Sequence, residues 1–414
     1  MSKILVNFGV VIKNGLAVIL VATALSLAAA EIVLLAADYP AEIAIGWKWD
    51  RSPSRSEANL RDSRVNHLGL RGRPISYGPN DFVVVLVGDS QVEAGAIPYE
   101  DMPEQILEKL LHEKYGFGRA KVFSVASAGW GQDQELLSLG EYFSQFRADL
   151  VLMWFTPIND FWENGNIDRS FRRRAGPLKP TFELNKSGNL ELAYPRGLNF
   201  KLGLLVDNAL AHLKYGDEGG LEQFYTDIWL AKLPPSNLSP TVSSFCPQGL
   251  TEQRQIVGSF QRGEPGITAE TDEDIGNGRS NFSPFIVPLS LRENYQIRLT
   301  RRLIDAMEQL SIAHGAAFRT FFPRRSDTDS SLGSVKCVKD KTSGEYYKTD
   351  FTNLTPFYEV KPPHNALLVF DISSNPHTVV STADTHLNGR GNLLAMDALA
   401  KELFSRNILD LGHR

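Results

Sequence analysis

Val83-Val84-Val85-Leu86-Val87, running directly into Gly88-Asp89-Ser90, is the most apolar short stretch in the folded part of this chain. A continuous apolar run of that length reads as a strand buried on both faces, as in a parallel sheet. The carboxyl end of such a strand is where open α/β sheets place their chemistry. A hydroxyl nucleophile therefore stands where this fold exposes one. Far along the chain, Asp384-Thr385-His386 places a histidine two residues after a carboxylate, just before a helix start. The two ends together suggest a serine hydrolase or acyltransferase.

Working outward, the hydrophobic periodicity predicts strand one over Phe82–Val87, a helix over Met102–Lys114, strand two over Lys121–Val125, a helix over Asp133–Phe146 and strand three over Leu150–Phe155. Strands alternating with helices imply βαβ units and a parallel sheet. The alternation stops at 165–285, which is rich in Gly, Pro, Asn and Ser. A structureless loop of that length is improbable in a compact domain, so the segment reads as an inserted subdomain or lid. A long helix resumes over Ser290–His314, followed by strand four (Ala316–Phe322), an irregular stretch over 324–362, strand five (Leu367–Ile372) and a last helix over Asn392–Phe404. The expected division is an N-terminal anchor (1–38), a stalk and lead-in (39–80), two catalytic-domain halves (81–164 and 286–414) and the insertion (165–285).

Acyl transfer to a serine needs a hydroxyl, a base, a group that orients the base, and donors aimed at the developing oxyanion. Ser90, His386 and Asp384 supply the first three if the backbone at 384–386 is extended. The backbone N–H groups of Ser90 and Gly129 and the side-chain amide of Asn159 are the candidate donors. Asp89 and Asp160 are expected to brace their loops. Each of these residues follows the carboxyl end of a predicted strand. Taken singly, Gly88-Asp89-Ser90 is equally a turn or helix cap, Asn159-Asp160 a turn, and His386 a solvated loop residue. Their order along the chain favours the catalytic reading. Trp130, Trp154 and Trp162 are expected to pack in the core or under the lid in preference to forming a sugar platform. Arg172-Arg173-Arg174 reads as a solvated loop.

These motifs resemble the SGNH hydrolase (GDSL esterase) superfamily. Gly88-Asp89-Ser90 matches its first block, Gly129 its second, Pro157-Ile158-Asn159-Asp160 its third and Asp384-Thr385-His386 its last. Asn66-His67-Leu68-Gly69-Leu70-Arg71 is similar to a feature of membrane-anchored bacterial members. The resemblance covers roughly 60–165 and 290–405. The chain departs from the pattern in three places. Pro157 replaces the usual glycine, the acid-to-base spacing is two residues, and Ser124 stands where many members carry Asn. The resemblance implies an α/β three-layer sandwich with a central, mostly parallel five-stranded sheet of flavodoxin-like order. It further implies a Ser-His-Asp acyl-enzyme that needs neither metal nor organic cofactor. The implied substrate is an O-acyl ester, acetyl first, of an extracytoplasmic polysaccharide, with a membrane acyltransferase or polysaccharide machinery as candidate partner. A catalytically silent, membrane-tethered binding or assembly module and a lipid esterase are the alternatives.

The remaining composition bounds these expectations. The 414 residues, 43% apolar, suffice for one large domain or two smaller ones. A net charge of −5 gives no support for nucleic-acid binding. No P-loop, Gly-x-Gly-x-x-Gly, His-Glu-x-x-His or Gly-x-Ser-x-Gly motif is present. Residues 15–37 form an apolar run whose only charge is Glu31, with Lys3 and Lys13 before it. As a helix it is long enough to cross a bilayer. The positive-inside rule then puts the domain outside, in the periplasm of a bacterial inner-membrane, single-pass protein. Three readings stand for this run: an uncleaved anchor, a signal cleaved near Ala28-Ala29-Ala30, and a buried helix. The apolar run resumes after Glu31, which favours the anchor. Export would let Cys246 and Cys337 pair. Two buried thiols are the equal alternative.

Overall fold

The computed structural model describes residues 2–40, 45–48, 64–168, 176–195, 200–216, 220–246, 267–325, 335–350, 368–372, 378–380 and 386–409. Helix α1 spans Ser2–Ala36. Its Gly15–Ala36 part has a mean hydropathy of 2.5 and faces outward, making it the one described helix long and apolar enough to cross a membrane.

The first half of the domain runs β1 (Phe82–Gly88), α2 (Ser90–Glu93), α3 (Pro103–Glu113), β2 (Ala120–Ala126), α4 (Gln132–Tyr142), β3 (Leu150–Trp154) and α5 (Pro157–Gly165). Strand β1 lies between β2 and β3 and is parallel to both, with Gly88 opposite Ala126 and Val87 opposite Met153. The chain therefore reverses its direction of travel across the sheet between β1 and β3. That reversal opens a crevice at the carboxyl ends of these two strands. Alternation along β1 divides its side chains between two cores. Val83, Val85 and Val87 join Phe123, Val125, Trp130, Leu139, Val151 and Met153 on one face. Phe82, Val84 and Leu86 join Leu107, Leu111 and Leu152 on the other. Every residue of β1 is buried, which is why the strand reads as an unbroken apolar run.

Beyond β3 the chain forms a hairpin, β4 (Thr181–Leu184) and β5 (Leu190–Ala193), then α6 (Lys201–Tyr215), α7 (Gly220–Lys232) and β6 (Ile267–Thr271). It continues through α8 (Leu291–Ala313), β7 (Ala317–Arg325), β8 (Val335–Asp340), β9 (Tyr346–Lys348), β10 (Leu368–Ile372) and α9 (Gly389–Ser405). Strand β7 pairs in parallel with β3, and β10 pairs in parallel with β7. Helix α8 contributes Ile304 and Met307 to the first core, and α9 contributes Met396, Leu399 and Leu403 to the second. The fold is thus mixed α/β around a parallel sheet.

One expectation is revised. The stretch 324–362, expected to be irregular, contains β8 and β9. Strand β8 pairs in parallel with β6 of the insertion and antiparallel with β9. These strands are short and charged, and a neighbour distant in sequence stabilises them, so no local periodicity marks them. The lead-in, expected to run from a stalk onto the domain, packs against the domain where it is described. Trp47 lies 5.4 Å from Trp130 and 5.7 Å from Tyr142, and Leu68 and Leu70 belong to the first core.

A third core is built from Ile167, Leu178, Tyr225 and Trp229 against Tyr295, Leu299 and Leu303 of α8. Cys246 and Cys337 form a disulfide, with Cα atoms 5.7 Å apart, joining the end of a 3₁₀ turn to β8.

Helix α8 starts with a reciprocal cap. Ser290 Oγ accepts from Arg292 N, and Glu293 at the third helical position accepts from Ser290 Oγ. Burial raises the Glu293 carboxyl from its ordinary 4.5 to about 7. The folded state therefore holds a proton that the unfolded chain releases above pH 4.5. Stability from this group is complete below pH 4.5 and is lost as the pH rises through 7, by about 3 kcal/mol in all. Glu293→Gln keeps the cap and removes the titration. Urea midpoints at pH 5 and pH 8 should converge in this variant relative to the unmodified chain.

Candidate active site

The turn after β1 is tight because Gly88 has no side chain. A Cβ there would lie 2.5 Å from Val92 Cγ2 and 3.3 Å from Trp154 Cβ. Asp89 caps the single turn α2, its Oδ1 accepting from Gln91 N at 2.9 Å. Ser90 is the first residue of that turn and is half-buried. The turn closes at Ala94 in the left-handed region, φ 51°. Its carbonyls are gathered by Arg71, whose Nη1 donates to Glu93 O and Ala94 O at 2.9 Å each and whose Nη2 donates to Ile97 O at 2.8 Å. Arg71 is fully buried, so Arg71→Ala takes a donor from three carbonyls, of which Ala94 O keeps its bond from Ile97 N at 3.3 Å. At 1–3 kcal/mol for each of the two groups stranded, the expected loss is about 2 kcal/mol or more in urea denaturation. Arg71→Lys, lacking the planar fork, should recover only part of it.

His386 comes from the opposite end of the chain. Val380 N donates to His386 O at 3.0 Å, and Leu387 N donates to Gln91 Oε1 at 3.3 Å. Asn388 then caps α9, accepting from Arg390 N and Gly391 N, while its own amide donates to Val379 O at 2.8 Å. Gly391 permits this crossing, since a Cβ there would lie 2.2 Å from Thr378 O. The result is a ring nitrogen, His386 Nε2, at 2.7 Å from Ser90 Oγ. That spacing suits proton transfer from a hydroxyl to a neutral imidazole.

Gly129 follows β2 with φ +72°, a conformation that glycine tolerates best. The turn is held by Trp130 N donating to Ser127 O at 3.1 Å and Ala128 N donating to Glu93 Oε2 at 2.6 Å. Glu93 thus ties the Gly129 turn to the Ser90 turn. It was not among the expected site residues. The N–H groups of Ser90 and Gly129 have no hydrogen-bond partner among the described residues.

Asn159 lies in the first turn of α5, just after Pro157 at the helix start. Proline is pre-shaped for that position, so its replacement of glycine leaves the turn intact. The Asn159 amide donates to Glu163 Oε2 at 3.1 Å and, more weakly, to Asp89 Oδ2 at 3.4 Å. Asp160 Oδ2 accepts from Thr156 N and Gln132 Nε2, at 2.7 Å each, and so joins α5 to α4.

Four carboxyl groups interact here: Asp89, Glu135, Asp160 and Glu163. Burial, followed by the neighbouring negative charges, raises Glu135 and Asp160 well above the usual carboxylate range. Burial also raises Asp89, opposed by the Gln91 N–H and by His386. Neither Glu135 oxygen has a hydrogen-bond partner among the described residues. Like charges this close do not ionise together in a dry interior. The charged forms of Glu135 and Asp160 are therefore disfavoured.

The remaining expected residues are dispersed or lie outside this region. Asp384 and the Arg172-Arg173-Arg174 run are outside the described residues. Trp130, Trp154 and Trp162 are buried. Ser124 donates from both N and Oγ to Glu104 Oε2 at 2.7 Å. No protein-family model matches this sequence, and no curated protein matches it significantly.

Proposed function

We propose that this chain is a serine esterase or O-acyltransferase of SGNH type, held at the outer face of a bacterial inner membrane and acting on acyl esters of a carbohydrate. The observation that carries the proposal is the 2.7 Å approach of His386 Nε2 to Ser90 Oγ, between residues 296 apart in sequence. In this mechanism Ser90 Oγ attacks the ester carbonyl carbon as His386 takes the hydroxyl proton. The tetrahedral oxyanion is met by the N–H groups of Ser90 and Gly129. It also takes one N–H of Asn159, which leaves its longer contact with Asp89. Collapse of the intermediate expels the alcohol, which His386 protonates. Water or a sugar hydroxyl then attacks the acyl-serine by the same steps in reverse order. Asp384 is assigned the role of orienting the imidazole.

The engagement of the Asn159 amide by two carboxylates favours the second reading, a catalytically silent tethered module. Two measurements on the full chain in detergent separate them. Mass spectrometry after fluorophosphonate treatment should place the adduct on Ser90. Release of p-nitrophenol from p-nitrophenyl acetate, with and without an added oligosaccharide, divides hydrolysis from transfer. Absence of both labelling and release would leave the silent module. Asn159→Ala should lower kcat by roughly 10²–10³ with little change in KM. Turnover close to that of the unmodified chain would remove Asn159 from the mechanism.

A further inference from the structure

Helix α6 is turned the wrong way for a soluble domain. Val206, Leu210 and Leu213, at i, i+4 and i+7, form one stripe, and they are 55%, 47% and 82% exposed. Phe200, just before the helix, is 58% exposed and adds to one end of the stripe. A flanking side is held by α7, where Tyr225 Oη donates to Asp207 Oδ2 at 3.0 Å and Lys214 pairs with Asp227 at 2.9 Å. The interior of the insertion is therefore already satisfied, and the apolar stripe faces away from it.

The first turn of α6 is fastened to α1. Glu31 Oε1 accepts from Lys201 N at 2.7 Å, and Oε2 accepts from Leu202 N at 2.9 Å. Lys201 Nζ donates to Asp38 Oδ1 at 2.8 Å and to Pro40 O at 3.0 Å. The single charge in the apolar run thus accepts from two N–H groups at a helix start and meets the positive end of its dipole. Glu31 lies five residues before the end of α1 at Ala36, about 8 Å along the helix axis. Interfacial helices bury their apolar faces to about 5–10 Å, at the headgroup and acyl boundary.

We propose that α6 is a second membrane contact, lying in the outer interface of the bilayer with Val206, Leu210 and Leu213 among the acyl chains. The occupant of the stripe is lipid, because α6 starts from a bond to Glu31 inside the apolar run of α1, at the depth where such helices lie. A single spanning helix leaves a domain free to swivel. Two contacts joined at Glu31 hold it in one orientation, with a fixed height above the bilayer.

This inference rests on α1 being the anchor, and the test separates the two. Full chains carrying Leu210→Cys, Leu213→Cys or, as control, the exposed Arg406→Cys are labelled with the fluorophore NBD. The native disulfide remains oxidised. The proteins are reconstituted into phosphatidylcholine–phosphatidylglycerol vesicles. Flotation after carbonate washing reports the anchor. NBD emission and its quenching by lipids doxyl-labelled near the headgroup report α6. The expected result is blue-shifted emission at 210 and 213, quenched several-fold more than at 406. Quenching at 210 and 213 no greater than at 406 in floating protein overturns the lipid contact alone. So does self-quenching that grows with the protein-to-lipid ratio and ignores doxyl lipid, which would assign the stripe to a second copy. Failure to float overturns the anchor and the lipid contact together.

Discussion

Ser90→Ala should lower ester turnover by at least about 10⁴-fold and abolish fluorophosphonate labelling, with the thermal melt unchanged. The size follows from removing the nucleophile of a unit whose members act together. The unchanged melt follows from the surroundings of Ser90, which is half-buried and bonded through its hydroxyl to His386. His386→Ala should be nearly as severe, and the double variant no worse than Ser90→Ala, because either loss already disables proton transfer from the hydroxyl. If Ser90→Ala kept turnover within tenfold of the unmodified chain, the nucleophile would lie elsewhere and the proposed mechanism would be withdrawn.

Cys246→Ser, Cys337→Ser or reduction of the pair should each destabilise the chain by roughly 4–5 kcal/mol in the chain-entropy account of a loop closed by cysteines 91 apart. In thermal terms that is about 5 °C for a chain of this length. Both cysteines are buried, at 4% and 1% exposure, so their loss is not relieved by solvent. The bridge fastens the insertion to β8, and through β8 to β6 and β9, a small sheet with few apolar residues to hold it. Differential scanning calorimetry with and without dithiothreitol measures the effect. Coincident melts would show that the bridge contributes nothing. A structural bridge also suits an oxidising compartment, in keeping with the proposed outward orientation.

The legible parts of the fold were those in which one element carries its own pattern. The apolar run of β1, the helical spacing in α3 and α8, and the anchor-length stretch in α1 are all local signals. Strands β8 and β9 carried no such signal, because their pairing depends on a strand from the insertion. In the candidate site, Ser90 and His386 were readable as residue types at strand and helix boundaries. Arg71 and Glu93 were not recognised as supports. Arg71 works by reaching carbonyls more than twenty residues away, and Glu93 by receiving an N–H from the turn after the next strand. Likewise, the upward shift of Glu135 and Asp160 comes from burial beside other carboxyls, which no linear pattern reveals.

By itself the sequence determined the parallel-sheet class, the helix able to cross a membrane, and the chemical types available at the ends of the strands. Those follow from hydrophobic period and length, which act between near neighbours. Only the tertiary structure decided that His386 Nε2 stands 2.7 Å from Ser90 Oγ, that Asn159 is shared by two carboxylates, and that Glu31 holds the start of α6. These depend on the strand order and on the crossing of segments far apart in the chain. Their distances are set by packing against buried neighbours and not by spacing along the backbone.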